Sequence, residues 1–380
     1  MAEDSSGSPR KIVLTEAQRK AVDRAVGFLK DPKSDGHDGV FRVGGYAGVG
    51  KTVMARYIVA EAPGKAAVCS LTGKACAVLR SKGLEQAQTI HSTIYNWSEH
   101  ARQFLLKEPK DLQDTTYFLI DEGSMVNEEL WDDLRSFGLP IVVIGDPGQL
   151  EPVGDDPHLM REPDVVLDQI HRQAEDNPII QAAHMIRHDE MPDYGDYDGK
   201  LRVARAHMFF KWLTWADQAL CGFNKTRARA NEIIREQKGL TGRLAEGDRL
   251  ICLKNNPTLR VWNGQMFHVH RILEEPDYEK GRGAFKCRLE DELGQMYENA
   301  LVWDRQLGSV QLPRFEDVKF VRHAIVADYG FCTTVHKFQG SEAGKVVVLD
   351  QQCGKWEPRR WRYTAITRAA DQLAYCIDFD

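Results

Sequence analysis

Residues Gly45 to Thr52 read GYAGVGKT, and their types and spacing suit the wrapping of phosphate groups. Glycines let the successive backbone N–H groups of Gly45, Ala47, Gly48, Val49 and Gly50 curl around an anion. The helical pattern that follows sets the positive end of a helix dipole beside it. Lys51 adds a point charge for the outer phosphates, and Thr52 adds a hydroxyl for Mg²⁺. Further on, FLIDEGS (118–124) ends an apolar run in two carboxylates. Asp121 is suited to hold Mg²⁺ and Glu122 to polarise an attacking water, the division of labour that phosphate hydrolysis needs. A third run, VVIGDPGQLEPVG (142–154), also ends in polar residues. Gln149 there suits contact with a γ-phosphate or its attacking water, or it completes a turn built from Asp146, Pro147 and Gly148. In LTEAQRKAV (14–22), a helix capped by Thr15, the Gln18 amide is able to read adenine or to face solvent as an ordinary helix glutamine.

The elements that must hold these residues follow from periodicity. Apolar runs at 39–43, 66–71, 115–121 and 140–146 predict strands, and helical patterns at 51–62, 73–82 and 128–137 alternate with them. That rhythm predicts an α/β lobe with a parallel sheet covered on both faces. A second α/β unit follows the turn-rich stretch 152–164, with a helix at 177–188, a strand at 217–223 and a helix at 228–238. Its rhythm resumes in RHAIVADYG, KVVVLD and QLAYCIDF after an interruption by short alternating strands. The expected plan is a disordered tail (1–10), a first lobe (11–160) broken by a small polar insertion at 96–116, and a second lobe (161–246 and 320–380). A small β-barrel insertion (247–319) divides the second lobe.

Composition narrows the class. The 380 residues are 42% hydrophobic and 28% charged, with a formal charge of −6. A protein that coats nucleic acid passively is usually basic, so a nucleic-acid partner here must be gripped in a local groove. Eight scattered cysteines without a CxxC pair argue against a zinc ribbon or disulfide scaffold and for a reducing, cytoplasmic setting. His268 and His270 alternate along a strand pattern and read as structural. No apolar run approaches the roughly eighteen residues of a membrane helix, and MAEDSSGSPRK lacks the apolar core of a signal peptide.

In chain order the sequence carries TEAQ, GYAGVGKT, SLTGKA, TIHS, IDEGS, GDPGQLEPVG, IHRQ, TVHKFQGSE and YTAITRA. This ordered set resembles the superfamily 1 helicases of the B subgroup, the RecD/Dda type, and compact phage Dda-type DNA helicases in particular. The resemblance covers roughly residues 11–380. It implies two RecA-like P-loop lobes that clasp ATP and Mg²⁺ in their cleft, with single-stranded DNA across the top. It also implies a pin-like insertion in the first lobe and a small SH3-like barrel in the second. The implied activity is ATP-dependent 5′→3′ movement on single-stranded DNA with opening of duplex junctions, by a monomer in the cytoplasm (a host cell's, for a phage protein). Single-strand-binding or replication proteins are the implied partners.

Residue by residue, Thr334, His336 and Lys337 match the motif that touches the DNA backbone, and Gln339, Gly340 and Glu342 match its turn toward the nucleotide. Arg172 and Arg368 match arginine-finger positions, where a guanidinium would stabilise transition-state charge. Thr72, Gly73, Lys74, Thr89 and His91 match first-lobe DNA contacts. Pro152 and Val153, with Asn263 in VWNGQ (261–265), match others. Trp97 or Phe104 forms the apolar tip of the pin or belongs to packed core. Gly123, Glu151 and Phe338 depart from the usual family residues; the Glu151 carboxylate stands near the expected DNA path. Alternative readings are an RNA helicase, a translocase that displaces proteins without robust unwinding, and a nucleotide-gated switch. Against the switch, NKTR (224–227) lacks the aspartate of a guanine-reading Asn-Lys-x-Asp motif.

Overall fold

Strands buried on both faces read as unbroken apolar runs, and those of the first half pair into one parallel sheet. The computed structural model describes residues 13–33, 38–98, 103–112, 114–152, 154–168, 176–256, 258–279, 283–311, 323–352, 354 and 356–378. The first lobe runs α1 (Glu16–Lys30), β1 (Val40–Gly45), α2 (Lys51–Glu61), β2 (Ala66–Ser70), α3 (Gly73–Ser81), β3 (Gln88–Thr89) and α4 (Ile90–Ile94). The hairpin β4 (Tyr95–Ser98) and β5 (Gln103–Leu106) follows, then β6 (Tyr117–Ile120), α5 (Glu128–Ser136), β7 (Ile141–Gly145) and β8 (Val165–Leu167). The sheet order is β3-β2-β6-β7-β1-β8, all parallel. Val22, Met54 and Leu79 of α1, α2 and α3 cover one face, and Ile90, Leu130 and Leu134 of α4 and α5 cover the other.

The order decides where the chemistry sits. β6, β7 and β1 are neighbours, so the loops leaving their C-terminal ends stand side by side. Those loops are the three polar segments singled out from sequence, and this edge is where open α/β sheets bind ligands.

The second lobe contains α6 (Pro178–Arg187), β9 (Gly195–Tyr197), β10 (Leu201–Ala204), β11 (Gln218–Cys221) and α7 (Asn224–Gln237). Five strands then form a separate sheet: β12 (Arg249–Cys252), β13 (Met266–Glu274), β14 (Ala284–Asp291), β15 (Met296–Trp303) and β16 (Ala327–Tyr329). The lobe resumes with β17 (Cys332–Thr334), β18 (Ala343–Leu349), α8 (Pro358–Ile366) and β19 (Ala369–Cys376). Its sheet order is β17-β11-β18-β19-β10-β9, parallel but for the antiparallel edge strand β9. The separate sheet, β15-β14-β13-β12-β16, is antiparallel throughout and closes over its own core of Phe267, Cys287, Leu289 and Val302.

Strand pairing crosses two of the expected boundaries. β8 joins the first sheet through Leu167, beyond residue 160. β16, read from RHAIVADYG as part of the resumed parallel rhythm, pairs antiparallel with β12. Three-residue strands carry too little periodicity to reveal their partner. Among the described residues no helix is long and apolar enough to cross a membrane.

Candidate active site

The phosphate loop takes the shape its glycines allow. Gly48 and Gly50 have φ of +80° and +81°, which other residues rarely adopt. A Cβ on Gly50 would lie 2.7 Å from Gln18 Nε2. The Gln18 amide is the loop's brace: Nε2 donates to Val49 O at 2.8 Å, and Oε1 accepts the Thr15 N–H at 2.8 Å. Gln18, only 4% exposed, therefore joins the cap of α1 to the loop. Lys51 Nζ donates to Gly45 O (2.8 Å) and Tyr46 O (3.3 Å) and stands 3.4 Å from Asp146 Oδ2.

Beside it, Asp121 follows β6 and is buried. Burial, with the adjacent Glu122 carboxylate, pushes its pKa up to about 7, while Lys51 pulls it down. A buried carboxyl beside a second one, with the Thr52 hydroxyl in the first turn of α2, is a donor set that fits a divalent cation. Glu122 sits in the left-handed region, φ 58° and ψ 41°. Holding a non-glycine there costs about 1–3 kcal/mol, a strain that clusters at functional sites. Its Oε2 is buried without a hydrogen-bond partner among the described residues, as are Ser124 Oγ and Gln149 Oε1. Gly123 has a packing reason absent from the sequence: a Cβ there would fall 2.2 Å from Val143 Cγ1 of β7.

The second lobe reaches this floor through α8. Tyr363 O–H donates to Asp146 Oδ2 (2.8 Å) and accepts the Ala47 N–H (2.7 Å). Thr364 Oγ1 accepts the Leu150 N–H (2.8 Å), and Arg360 Nη1 donates to Gln149 O (3.3 Å) and lies 3.5 Å from Glu151. Positions 360, 363 and 364 share one helix face, so a single rigid element grips Asp146–Glu151. Gln339 Nε2 adds a bond to Leu150 O (2.9 Å). Arg368, 3% exposed, donates to Thr364 O (3.1 Å) and Ser341 O (3.3 Å), next to the turn at Gly340. Gly340 has φ +70°, and a Cβ there would approach Met125 Sδ (3.2 Å) and Thr72 Oγ1 (3.5 Å) across the lobe boundary.

The residues matched to DNA contacts are brought together only in part. Thr72 and Thr89 use their hydroxyls to cap α3 and α4, and Gly73 opens α3. Lys74 donates to the Glu342 carbonyl and lies 5.3 Å from the Phe338 ring centre, and burial pulls its ammonium below the ordinary value. Glu342 itself is exposed. Lys337 Nζ donates to Asn263 Oδ1 at 2.8 Å, which joins two of the expected contacts. Thr334 is buried; His336 is half-buried with its ring 5.2 Å from Trp356. His91 packs on Tyr95 and Phe104. Phe104 pairs with Trp97 across the hairpin and touches Trp262 at 5.8 Å between ring centres. Both pin candidates are thus packed against other aromatic rings. Pro152 is half-buried; Val153 and Arg172 lie outside the described residues.

Residues 13–207, just over half of the chain, match the AAA domain family, and residues 329–374 match the UvrD-like helicase C-terminal domain. The chain belongs to the AAA domain family. It is 28% identical to the ATP-dependent RecD2 DNA helicase of Deinococcus radiodurans, over 95% of this chain and 48% of that one. It is 25% identical to the conjugal transfer protein TraA of Agrobacterium fabrum, over 95% of this chain and 32% of TraA. The chain thus spans half or less of the length of these curated relatives. Its fold is similar to Bacteroides Pif1 bound to single-stranded DNA (17% identity, TM-score 0.57, 96% of this chain and 92% of that one). It is also similar to Pif1 helicase from Candida albicans (19%, 0.52, 97% and 95%). These likenesses carry the architecture of two RecA-like lobes.

The cleft has site residues that sequence reading missed. Arg187 at the end of α6 places its guanidinium 3.9 Å from the Tyr46 ring centre. The pair borders a cleft of about 320 Å³ with Pro147, Val166 and Asp168. Nothing in the spacing of Tyr46 and Arg187 signals their meeting. Arg360, Tyr363 and Thr364 carried a usable signal: their i, i+3, i+4 spacing leads directly to Arg368.

Proposed function

We propose that this chain is a superfamily 1 helicase of the B subgroup, an ATP-dependent motor on single-stranded DNA that moves 5′→3′ and separates duplex at junctions. One observation carries the reading. The loops bearing Lys51, Asp121–Glu122 and Gln149 leave three neighbouring parallel strands, and the first and last of these loops meet one helix of the other lobe, so chemistry in the cleft is tied to lobe geometry.

ATP would seat its phosphates on Gly45–Thr52, with Tyr46 and Arg187 offering flat faces to the base. Thr52 and Asp121 would hold Mg²⁺, which supplies charge stabilisation to the phosphoryl oxygens. Glu122 takes the proton of the attacking water, and Gln149 orients that water. Arg368, supplied in cis, lies one turn beyond the gripping helix face, so a monomer suffices. The 5′→3′ sense rests on the resemblance to the B subgroup. The β4–β5 hairpin, seated on Trp262 of the connection between β12 and β13, is our proposal for the strand-separating pin.

The DNA track is tested at His336. Burial lowers its pKa below the ordinary value, so the ring is neutral at pH 7 and contributes contact rather than charge. His336→Ala is expected to raise the single-stranded DNA concentration that half-maximally stimulates ATP hydrolysis by about tenfold, the size of one lost stacking contact. An unchanged DNA requirement would remove His336 from the track.

A further inference from the structure

We propose that Tyr363 is a latch that competes with nucleotide phosphate for the phosphate loop and so couples nucleotide arrival to the position of the second lobe. The inference rests on the nucleotide reading of Gly45–Thr52. An amide N–H has one proton to give. That of Ala47, inside the loop that should wrap phosphate, points at Tyr363 Oη at 2.7 Å. The same hydroxyl gives its own proton to Asp146 Oδ2 at 2.8 Å, and Lys51 Nζ stands 3.4 Å from that oxygen. Hydroxyl, loop amide, carboxylate and ammonium therefore form one connected network that joins the lobes.

The tyrosine is built to hold this place. It is 2% exposed, its ring meets Tyr46 edge-on at 6.4 Å, and Gly148 leaves room for it: a Cβ there would lie 3.1 Å from the Tyr363 ring. Burial, and then the Asp146 carboxylate, raises its pKa well above the ordinary value, so it keeps its proton. A phosphate oxygen that accepts the Ala47 N–H must displace the hydroxyl. Because Arg360, Tyr363 and Thr364 ride on one helix, the displacement shifts the grip on Gln149 and Leu150 and the position of Arg368 beyond it. Tyr363 is thus a positioning residue for hydrolysis rather than a catalytic one.

The test is calorimetric binding of a non-hydrolysable ATP analogue to the full chain and to Tyr363→Phe. Phenylalanine keeps the ring and removes only the competing hydroxyl. The latch predicts that the variant binds the analogue about three- to tenfold more tightly, the worth of one hydrogen bond. A purely structural tyrosine would leave affinity unchanged or weaken it, and either result overturns the latch. A structure of the unaltered chain with the analogue bound provides a second test that does not depend on the variant folding. Tyr363 Oη should have left the Ala47 N–H; persistence of that bond with analogue seated overturns the proposal. Failure of the unaltered chain to bind the analogue would instead overturn the nucleotide reading itself.

Discussion

Replacing Lys51 with alanine is expected to lower ATP turnover by at least about a thousandfold, as loss of a positioned transition-state charge does. The fold should survive, and the reason is local. Asp146, the carboxylate nearest the ammonium, keeps the Gly148 N–H on Oδ1 at 2.9 Å and the Tyr363 hydroxyl on Oδ2. The Tyr46 carbonyl loses a donor at a half-buried position, and the Gly45 carbonyl loses one at a buried position, at a cost of about 1 kcal/mol. The melting temperature should therefore stay within about 3 °C of the parent, the shift that about 1 kcal/mol produces in a chain this size. Steady-state hydrolysis and a thermal melt on the same preparation check both halves. Robust turnover by the variant would remove the phosphate assignment from Gly45–Thr52.

Glu122→Gln separates binding from chemistry. Glutamine is nearly isosteric and sustains the left-handed backbone as well as glutamate does, so the turn after β6 should hold. What it lacks is the ability to take a proton. Glu122 Oε2 is buried and has no partner among the described residues, a costly arrangement for a group whose role is only to fill space. Its removal should lower kcat by about a thousandfold or more, near the upper range for a general base. The dissociation constant for ATP should stay within about twofold. Single-turnover hydrolysis alongside equilibrium binding reads the two quantities separately. A variant that hydrolyses normally would take Glu122 out of the base role, and one that no longer binds would make it a structural acid.

How far these residues could be read in advance depended on how local their signal is. The phosphate loop was legible because its glycines, Lys51 and Thr52 lie within eight residues between a strand and a helix. Asp121 and Glu122 were legible because an apolar strand ends at them. Long strands buried on both faces, such as β7 and β18, announced themselves, whereas β8, β9 and β16 are three residues each and declare their partners only in space. The same limit hid the cross-lobe contacts. Tyr363 meets Ala47 from 316 positions away, and Arg187 meets Tyr46 through no shared motif. Family motifs also cannot tell a ligand contact from a local structural bond. Gln18 braces the loop, Thr72 and Thr89 cap helices, and Lys74 ties Glu342 to the first lobe. Glu151, out of place on an expected DNA path, stands beside Arg360.

The central claim is that hydrolysis in this cleft drives movement along one strand in one direction. Two partial DNA duplexes test it most directly, one with a 5′ single-stranded tail and one with a 3′ tail, each incubated with Mg²⁺-ATP and with a non-hydrolysable analogue. The expected result is strand separation of the 5′-tailed duplex alone, and only with hydrolysable ATP. Opening of the 3′-tailed duplex alone would contradict the direction. Opening with the analogue would break the link between hydrolysis and movement, and opening of neither under Mg²⁺-ATP would contradict the unwinding activity.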